Sequence, residues 1–435
     1  MDLSIKVLID RTIGRILCYI LFPIVRIVGL LLQRDHSIQM GNVNVIAVAK
    51  YYGMGSIVHA MPMLRALKRK YPEAELVFIT RQANKLLFNN FPYPDEVLYI
   101  NDESFLALFM SSIRLFVRLI YYRLDLFFDL ELFSAYGALV SLFSLARNRM
   151  GFLCGLETDF KTLLYTHLIY FNFEMPLRIC YLQLARLANI QVNASSDLVM
   201  PMIDDAVRAS ARYKLNSIIP SSVATRKNLL AINVNASVLL LERRWMLERF
   251  EAVARYFANQ NYNILFVGSS EERSYVQRIT DRMEDLSDRV HNVAGRFNLS
   301  EFLAVLQECL ALLTADTGTM NFAYALKVPT VGLYGPCNAK QYHIEGVRTC
   351  AISKQVYCSP CVHRFARPPC RGNNVCMSLI EVDEVISALH DVLDGRLKVR
   401  LANHIPVLTD VSGTPLGFLK AREKRMKKEK ADAPL

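Results

Sequence analysis

Short, unbroken apolar runs alternate with amphipathic stretches along most of this chain, the pattern of parallel strands buried on both faces and joined by surface helices. Runs at 43–50, 75–80 and 97–100 predict strands, and 57–70 carries apolar positions at helical spacing up to the Tyr71-Pro72 break. A fourth strand is expected over 124–132, where Asp125, Asp129 and Glu131 stand among Leu and Phe. Before it, 105–122 predicts a helix whose Arg114 and Arg118 interrupt an otherwise apolar surface. Such a β-α-β beginning takes the right-handed crossover of nucleotide-type folds.

The rhythm breaks at 193–226, where Asn193, Ser195, Ser196, Pro201, Ser217, Pro220, Ser221 and Ser222 punctuate a mixed segment, including a short helix, that predicts the linkage between two domains. It restarts at Asn228 with expected strands over 229–234, 262–267 and 291–293 and helices over 246–259, 271–284 and 300–308. The apolar run 310–314 then reads as a buried strand, Asp316-Thr317-Gly318-Thr319 as a polar turn, and Phe322, Ala323 and Leu326 as a helix face. A turn of this kind offers free backbone N–H groups, two hydroxyls and a helix N-terminus to one point, which suits a phosphate held without metal; an ordinary capped helix is the alternative. A closing helix is expected over 382–393, ended by Gly395.

At 435 residues, about half of them hydrophobic, the chain is long enough for two α/β cores with extensions. A net charge of +11 favours acidic partners, among them anionic lipid and nucleotide phosphates. Nucleic acid is not expected, because the clearest basic cluster lies in a terminal tail and no recognition module is apparent. That cluster, 420–430, holds seven Arg and Lys against two Glu and would add attraction to an anionic leaflet. At the other end, Ile16 to Val25 is an apolar run of ten residues, preceded by Arg11 and Arg15, broken by Pro23 and closed by Arg26. A bilayer span needs about 20 apolar residues, so residues 1–35 read as an interfacial amphipathic segment, with a tilted or re-entrant anchor as the competing reading. Ten cysteines are present, and four of them, Cys358, Cys361, Cys370 and Cys376, have approximate metal-ligand spacing. A structural zinc or iron–sulfur site, reduced thiols and a disulfide pair are all open for them, and catalysis needs none of the three.

Several ordered motifs carry a resemblance. Ala315-Asp-Thr-Gly-Thr-Met-Asn321-Phe-Ala-Tyr-Ala-Leu326, followed by Val328-Pro329-Thr330 and Leu333-Tyr334-Gly335-Pro336, resembles the heptosyltransferase-like glycosyltransferases, glycosyltransferase family 9. Asn321 stands where that family usually has His. The run from Val45 to Pro62, with Gly55, Ser56 and His59, is similar to the family's first strand and glycine loop, and Asn233-Val-Asn235-Ala236 with Arg243-Arg244-Trp245 to the start of its second domain. The likeness covers roughly 43–390. It implies an α/β fold of two facing Rossmann-like domains, the B-type glycosyltransferase fold, with a cleft between them. The expected organisation is a membrane-associating segment at 1–40, an acceptor domain at 41–205, a linker at 206–227, a nucleotide-sugar domain at 228–395 and a basic tail at 396–435.

The resemblance implies inverting, metal-independent transfer of a sugar such as heptose from a nucleotide-sugar donor to a lipid-linked glycan acceptor, for example lipopolysaccharide core, at the cytoplasmic face of the inner membrane. Thr317, Gly318 and Thr319 are then expected to bind phosphate, Asp316 to order the turn or meet the donor sugar, and Arg243 to replace the family's phosphate-binding Lys; Asn321 and Gly55 line the substrate. Ser56 stands where the family has the Asp taken as base, and a serine hydroxyl takes no proton near neutral pH without an activator. Three accounts are open: Glu131 substitutes, His59 substitutes, or catalysis is lost and the chain is a binding subunit of surface-polysaccharide assembly. Nucleotide-sugar epimerisation, which uses the same architecture, needs no lipid acceptor and fits the membrane-seeking ends less well.

Overall fold

The structure, a computed structural model, describes residues 6, 8–32, 36–37, 42–155, 158–190, 197–219, 228–236, 240–346, 348–354, 356–365, 368–370 and 372–396. The basic cluster at 420–430 lies outside them. The chain divides into two compact units, Met1–Met202 and Ile203–Leu435.

In the first unit, β1 (Val45–Ala49), β2 (Glu75–Arg81), β3 (Glu96–Ile100), β4 (Leu126–Asp129), β5 (Asn148–Leu153) and β6 (His167–Tyr170) form one parallel sheet in the order β3-β2-β1-β4-β5-β6. Its helices are α1 (Arg15–Leu32), α2 (Met54–Lys70), α3 (Phe105–Tyr122), α4 (Ala135–Phe143) and α5 (Leu177–Ala185). The expected strand at 124–132 is shorter, and Glu131 lies just beyond its end. The strands β5 and β6 and the helix α4 lie outside the elements expected from the pattern: β5 opens on Asn148-Arg149 and is broken by Gly151, and β6 opens on His167 with a short run behind it. Parallel pairing to neighbours recruits them regardless of propensity.

The N-terminal segment is docked rather than loose. Asp10 caps α4 by accepting N–H bonds from Ala135 (3.1 Å) and Tyr136 (2.6 Å), and Cys18 is fully buried among Ala135, Ala138 and Phe160. Gly14 lies so close that a Cβ there would meet the Ala135 Cβ at 2.9 Å. Lys6 pairs with Asp102 at 2.6 Å, just ahead of α3.

The second unit repeats the topology. Strands β7 (Leu229–Asn233), β8 (Asn263–Phe266), β9 (Val290–Asn292), β10 (Ala311–Ala315), β11 (Thr330–Tyr334) and β12 (Thr349–Ser353) are all parallel, in the order β12-β11-β10-β7-β8-β9. The helices are α6 (Asp205–Ile218), α7 (Leu247–Asn259), α8 (Arg273–Thr280), α9 (Leu299–Glu308), α10 (Gly318–Ala325) and α11 (Val382–Asp394). Much of the stretch expected as linkage is α6, held on α9 by Lys214 and Ser210 on Glu301 (both 2.7 Å). The single long helix expected at 271–284 is α8 followed by a 3-10 turn, because Met283 leaves helical geometry (φ −121°) to reach the core. Asn298 and Glu301 form a capping box that starts α9, and Gly395, at φ +65°, ends α11.

Both sheets reverse their strand order between two central strands, β1 and β4 in the first unit and β7 and β10 in the second. Outside the carboxyl ends of such strands a crevice opens, and ligands of open α/β sheets bind there.

Candidate functional site

The first unit's crevice is built on Glu131. Its Oε1 accepts the N–H groups of Tyr51 (2.7 Å) and Tyr52 (3.0 Å), and its Oε2 lies 2.9 Å from Lys50 Nζ. Burial would raise its pKa, but Lys50 and the two N–H groups outweigh burial and lower it below the usual carboxylate value. Glu131 is therefore an ionised strut across the β1–α2 turn. Beneath it, Asp129 accepts from the Glu131 N–H (3.0 Å), Lys161 Nζ (3.2 Å) and the Tyr165 hydroxyl, while Lys161 also donates to the Glu131 carbonyl. Asp129 and Lys161 are both fully buried.

The turn held by Glu131 passes through Gly53 at φ +85°, a conformation glycine adopts without strain. A Cβ there would also approach Ser56 Oγ to 3.2 Å. Gly55 and Ser56 follow in the first turn of α2, Gly55 buried and Ser56 half-buried. His59, one turn on, is wholly enclosed. Of the two candidate bases, only Glu131 stands in the turn at the strand ends.

In the second unit, Asp316, Thr317, Gly318 and Thr319 form the turn from β10 into α10, as the hydrophobic pattern predicts. Arg243 reaches this turn, with Nη1 3.2 Å from the Asp316 carbonyl and 3.7 Å from its Oδ2. Burial works against the guanidinium charge, yet Asp316 raises its pKa and keeps it protonated. Arg244 points elsewhere: its Nε donates to Asn235 (2.7 Å) and its guanidinium stacks 4.2 Å from the Tyr275 ring centre. Arg243 is thus the arginine at the turn.

Asn233, at the end of β7, gives the two hydroxyls different roles. Its Nδ2 donates to Thr317 Oγ1 (3.2 Å) and Thr319 Oγ1 (3.1 Å), while its Oδ1 accepts from Asn235 N–H (3.1 Å). Thr314 spends its proton on the Ala315 carbonyl (2.8 Å), so the 3.1 Å contact between Thr314 and Thr317 hydroxyls has Thr317 as donor. The Thr317 proton is then spent. Thr319 accepts from Asn233 and, among the described residues, has no acceptor for its own proton, so it is the hydroxyl ready to donate to an anion. Asn321 is buried and braces the turn from behind, donating to the Thr317 carbonyl at 2.9 Å.

The cysteine loop has a place in this crevice that its spacing did not reveal. Among the described residues no group of three or more His, Cys, Asp or Glu side chains comes together to hold a metal, and no disulfide joins Cys358, Cys361, Cys370 and Cys376. Burial pushes the Cys361 and Cys376 thiols up to about 12, so both are protonated near neutral pH. The loop instead clamps the Gly335-Pro336 turn after β11: Cys361 N–H and Val362 N–H donate to the Pro336 carbonyl (both 3.0 Å), and Ser359 Oγ donates to that of Gly335 (2.5 Å). Asn374 fixes the other side by donating to the Glu242 (3.1 Å) and Arg244 (2.7 Å) carbonyls that flank Arg243. Cys337, the next residue of the clamped turn, is buried beside Asp316 and Arg243, and burial with the nearby Asp316 raises its pKa well above the ordinary thiol value. Lys50, Asn233 and Cys337 were missed as site residues because each closes or follows an apolar run and reads as part of a strand end.

The comparisons agree with this geometry. The model of glycosyltransferase family 9 (heptosyltransferase) matches residues 134–370, over half the chain. Lipooligosaccharide heptosyltransferase 2 of Campylobacter jejuni serotype O:2 is 20% identical over 351 residues, covering 78% of this chain and 95% of that protein. Lipooligosaccharide heptosyltransferase 2 of Haemophilus influenzae is 30% identical over 95 residues, 22% of this chain, and the match spans 28% of that relative's length. Among solved structures, a family 9 glycosyl transferase from Veillonella parvula superposes with a TM-score of 0.67 at 21% identity, covering 82% of this chain and 99% of that one. The E. coli ADP-heptose lps heptosyltransferase II gives 0.64 at 18% identity, over 80% of this chain and 98% of that one. Two Rossmann-like units of the fold these transferases share, and a family match running from the start of α4 through the 316–319 turn into the cysteine loop, place this chain in glycosyltransferase family 9, the heptosyltransferase family.

Proposed function

We propose that this chain is an inverting, metal-independent transferase. It moves a heptose from a nucleotide-sugar donor of the ADP-heptose type to a lipid-linked glycan acceptor, such as lipopolysaccharide core, at the cytoplasmic face of the inner membrane. The observation that carries this reading is the convergence of Arg243, the Thr319 hydroxyl and the N-terminus of α10 at the end of β10. In glycosyl transfer the anomeric carbon becomes cationic while the diphosphate leaves as an anion, and a fixed cation with aimed N–H and O–H donors stabilises that anion. The donor is suggested by the name of the E. coli neighbour, and the acceptor by those of the Campylobacter and Haemophilus relatives.

Glu131 is the group proposed to take the acceptor proton, being ionised and set in the first unit's crevice. Ser56 and Gly55 line the acceptor side, and His59 supports α2 from within. The N-terminal segment and the basic tail hold the protein to an anionic membrane surface.

Calorimetric titration with ADP and ADP-heptose tests donor binding. Arg243→Ala removes a charge-assisted contact of about 1.5–3 kcal/mol and is expected to weaken binding about ten- to hundredfold; unchanged affinity in a folded variant overturns the assignment. Glu131→Gln should lower turnover by about 10²–10⁴ with donor affinity retained. A second reading, a non-catalytic binding subunit, is favoured by Ser56 and by Asn321 in its bracing position. It predicts donor binding without transfer in the wild type and some transfer in Ser56→Asp.

A further inference from the structure

We infer that α1 and α3 together form one membrane-embedding face, so that the protein lies on an anionic bilayer through two helices rather than through its N-terminal segment alone. The inference extends the membrane part of the proposed function and adds a second contact element to it.

The helix α3 has the length and apolar composition of a membrane span, but packing excludes that use in the folded unit. Leu115 and Leu119 are buried in the core beneath it, Ser112 hydrogen-bonds Tyr136 at 2.7 Å, and the Phe116 and Phe143 rings sit 5.0 Å apart. The opposite side is also apolar and is open: Phe105, Leu106 and Phe109 are exposed, as are Val117 (63%) and Tyr121 (86%). A soluble helix has one apolar side and one polar side. This one has two apolar sides and only one is covered.

The helix α1 has the same character. Cys18 within it and Gly14 just ahead of it bind it to α4, while Ile16, Ile20 (58%), Ile24 and Ile27 remain exposed. Both helices share one face of the sheet. With strand order β3-β2-β1-β4-β5-β6, right-handed crossovers put α3 and α4 on the face opposite α2, and α1 and α3 each pack against α4. The Lys6–Asp102 pair ties the start of the chain to the loop that opens α3, joining the two surfaces.

Charge selects the occupant. Neither α1 nor α3 contains an acidic residue, and their charged side chains are Arg15, Arg26, Arg114 and Arg118; Arg118 is paired with Glu96 at 2.6 Å and Arg15 lies over the Phe160 ring, so Arg26 and Arg114 are the exposed charges left for a partner. Two such faces from two copies would set arginine against arginine. A bilayer accepts the apolar side chains below the headgroups and pairs the Arg26 and Arg114 guanidinium groups with lipid phosphates as the aliphatic stems snorkel. Lying flat suits this, since interfacial helices sink only about 5–10 Å.

The test is flotation of the full chain with vesicles of phosphatidylcholine alone or mixed with phosphatidylglycerol. Replacing Phe109 and Val117 together by Ser leaves α1 intact and changes only exposed side chains; partition into the anionic vesicles is expected to fall about tenfold or more with the melting temperature unchanged. Val117→Trp should add emission that shifts to the blue on binding and is quenched by brominated lipid. Undiminished partition of the double Ser variant overturns the inference, and so does quenching in the Val117→Trp protein no greater than that of the wild type, whose emission comes from Trp245. Sedimentation showing a dimer that the double Ser variant dissociates and that ignores vesicles also overturns it, and would identify a second copy as the cover. Vesicle partition that survives alongside absent heptose transfer would leave this face standing and remove the transferase reading.

Discussion

Asn233 shows how one side chain divides labour between two similar neighbours. It donates to both threonines; the Thr317 proton is spent on Thr314, and the Thr319 proton is left for a ligand. Thr319→Val is therefore expected to cost donor affinity about tenfold and to destabilise less than the Thr317 change, since it strands one Asn233 amide hydrogen and leaves Thr314 paired. Thr317→Val, by stranding Asn233 and Thr314, should lower the unfolding free energy by about 1–3 kcal/mol; calorimetry and chemical denaturation on the two variants separate the roles. Glu131 carries a pH signature. Its pKa is depressed in the folded protein relative to the ordinary 4.5, so its stabilising contribution is present above that value and is lost as pH falls through the folded one. Glu131→Gln leaves Lys50 without its partner and should cost about 3–5 kcal/mol at neutral pH. The variant's denaturation midpoint should then respond less to acidification below about pH 4.5 than the wild type's.

Among the elements, the cysteine loop matters most for the site because it grips two strand ends at once, the Gly335-Pro336 turn after β11 and the Arg243 segment after β7. Gly335 permits that grip. A Cβ there would meet Met377 Sδ at 2.6 Å and Cys376 Sγ at 2.9 Å. Gly335→Ala is expected to destabilise the protein by about 1–3 kcal/mol through overpacking and to weaken donor binding, because Cys337 in the displaced turn is buried beside Asp316 and Arg243. Wild-type donor affinity in a destabilised Gly335→Ala protein would show the loop to be remote from binding. The spacing of these cysteines invites a metal, but Cys-x2-Cys says only that two thiols are near in sequence. The tertiary path gives this loop the work of a clamp on the Gly335-Pro336 turn and the Arg243 segment. The docked α1 makes the same point, since its apolar run was legible while Asp10 capping α4 across 125 positions was not.

On the scale of the whole molecule, the sole tryptophan, Trp245, is buried in the second unit's core with its indole N–H on the Ile380 carbonyl at 3.1 Å. Its fluorescence therefore reports on that unit, whereas far-ultraviolet dichroism reports on both. Saturation with ADP at about 100 times its Kd should stabilise the tryptophan-detected transition by about 2.7 kcal/mol, and a shift seen only by dichroism would place the donor in the first unit. The sequence by itself determined that there would be two parallel α/β units, because burial on both faces demands continuous apolar runs such as 45–49, 229–233 and 311–315. It also determined the polar turn at 316–319, because a helix start needs small polar residues. The strands β5, β6 and β12 became visible only once their neighbours were in place, since pairing rather than local pattern recruits them. The tertiary structure alone decided that Arg243 rather than Arg244 meets Asp316, that His59 is enclosed and that Glu131 is a tethered strut. Those outcomes depend on residues about 80 positions apart arriving at one strand end, and no local pattern of polar and apolar residues encodes which partner a charge will find.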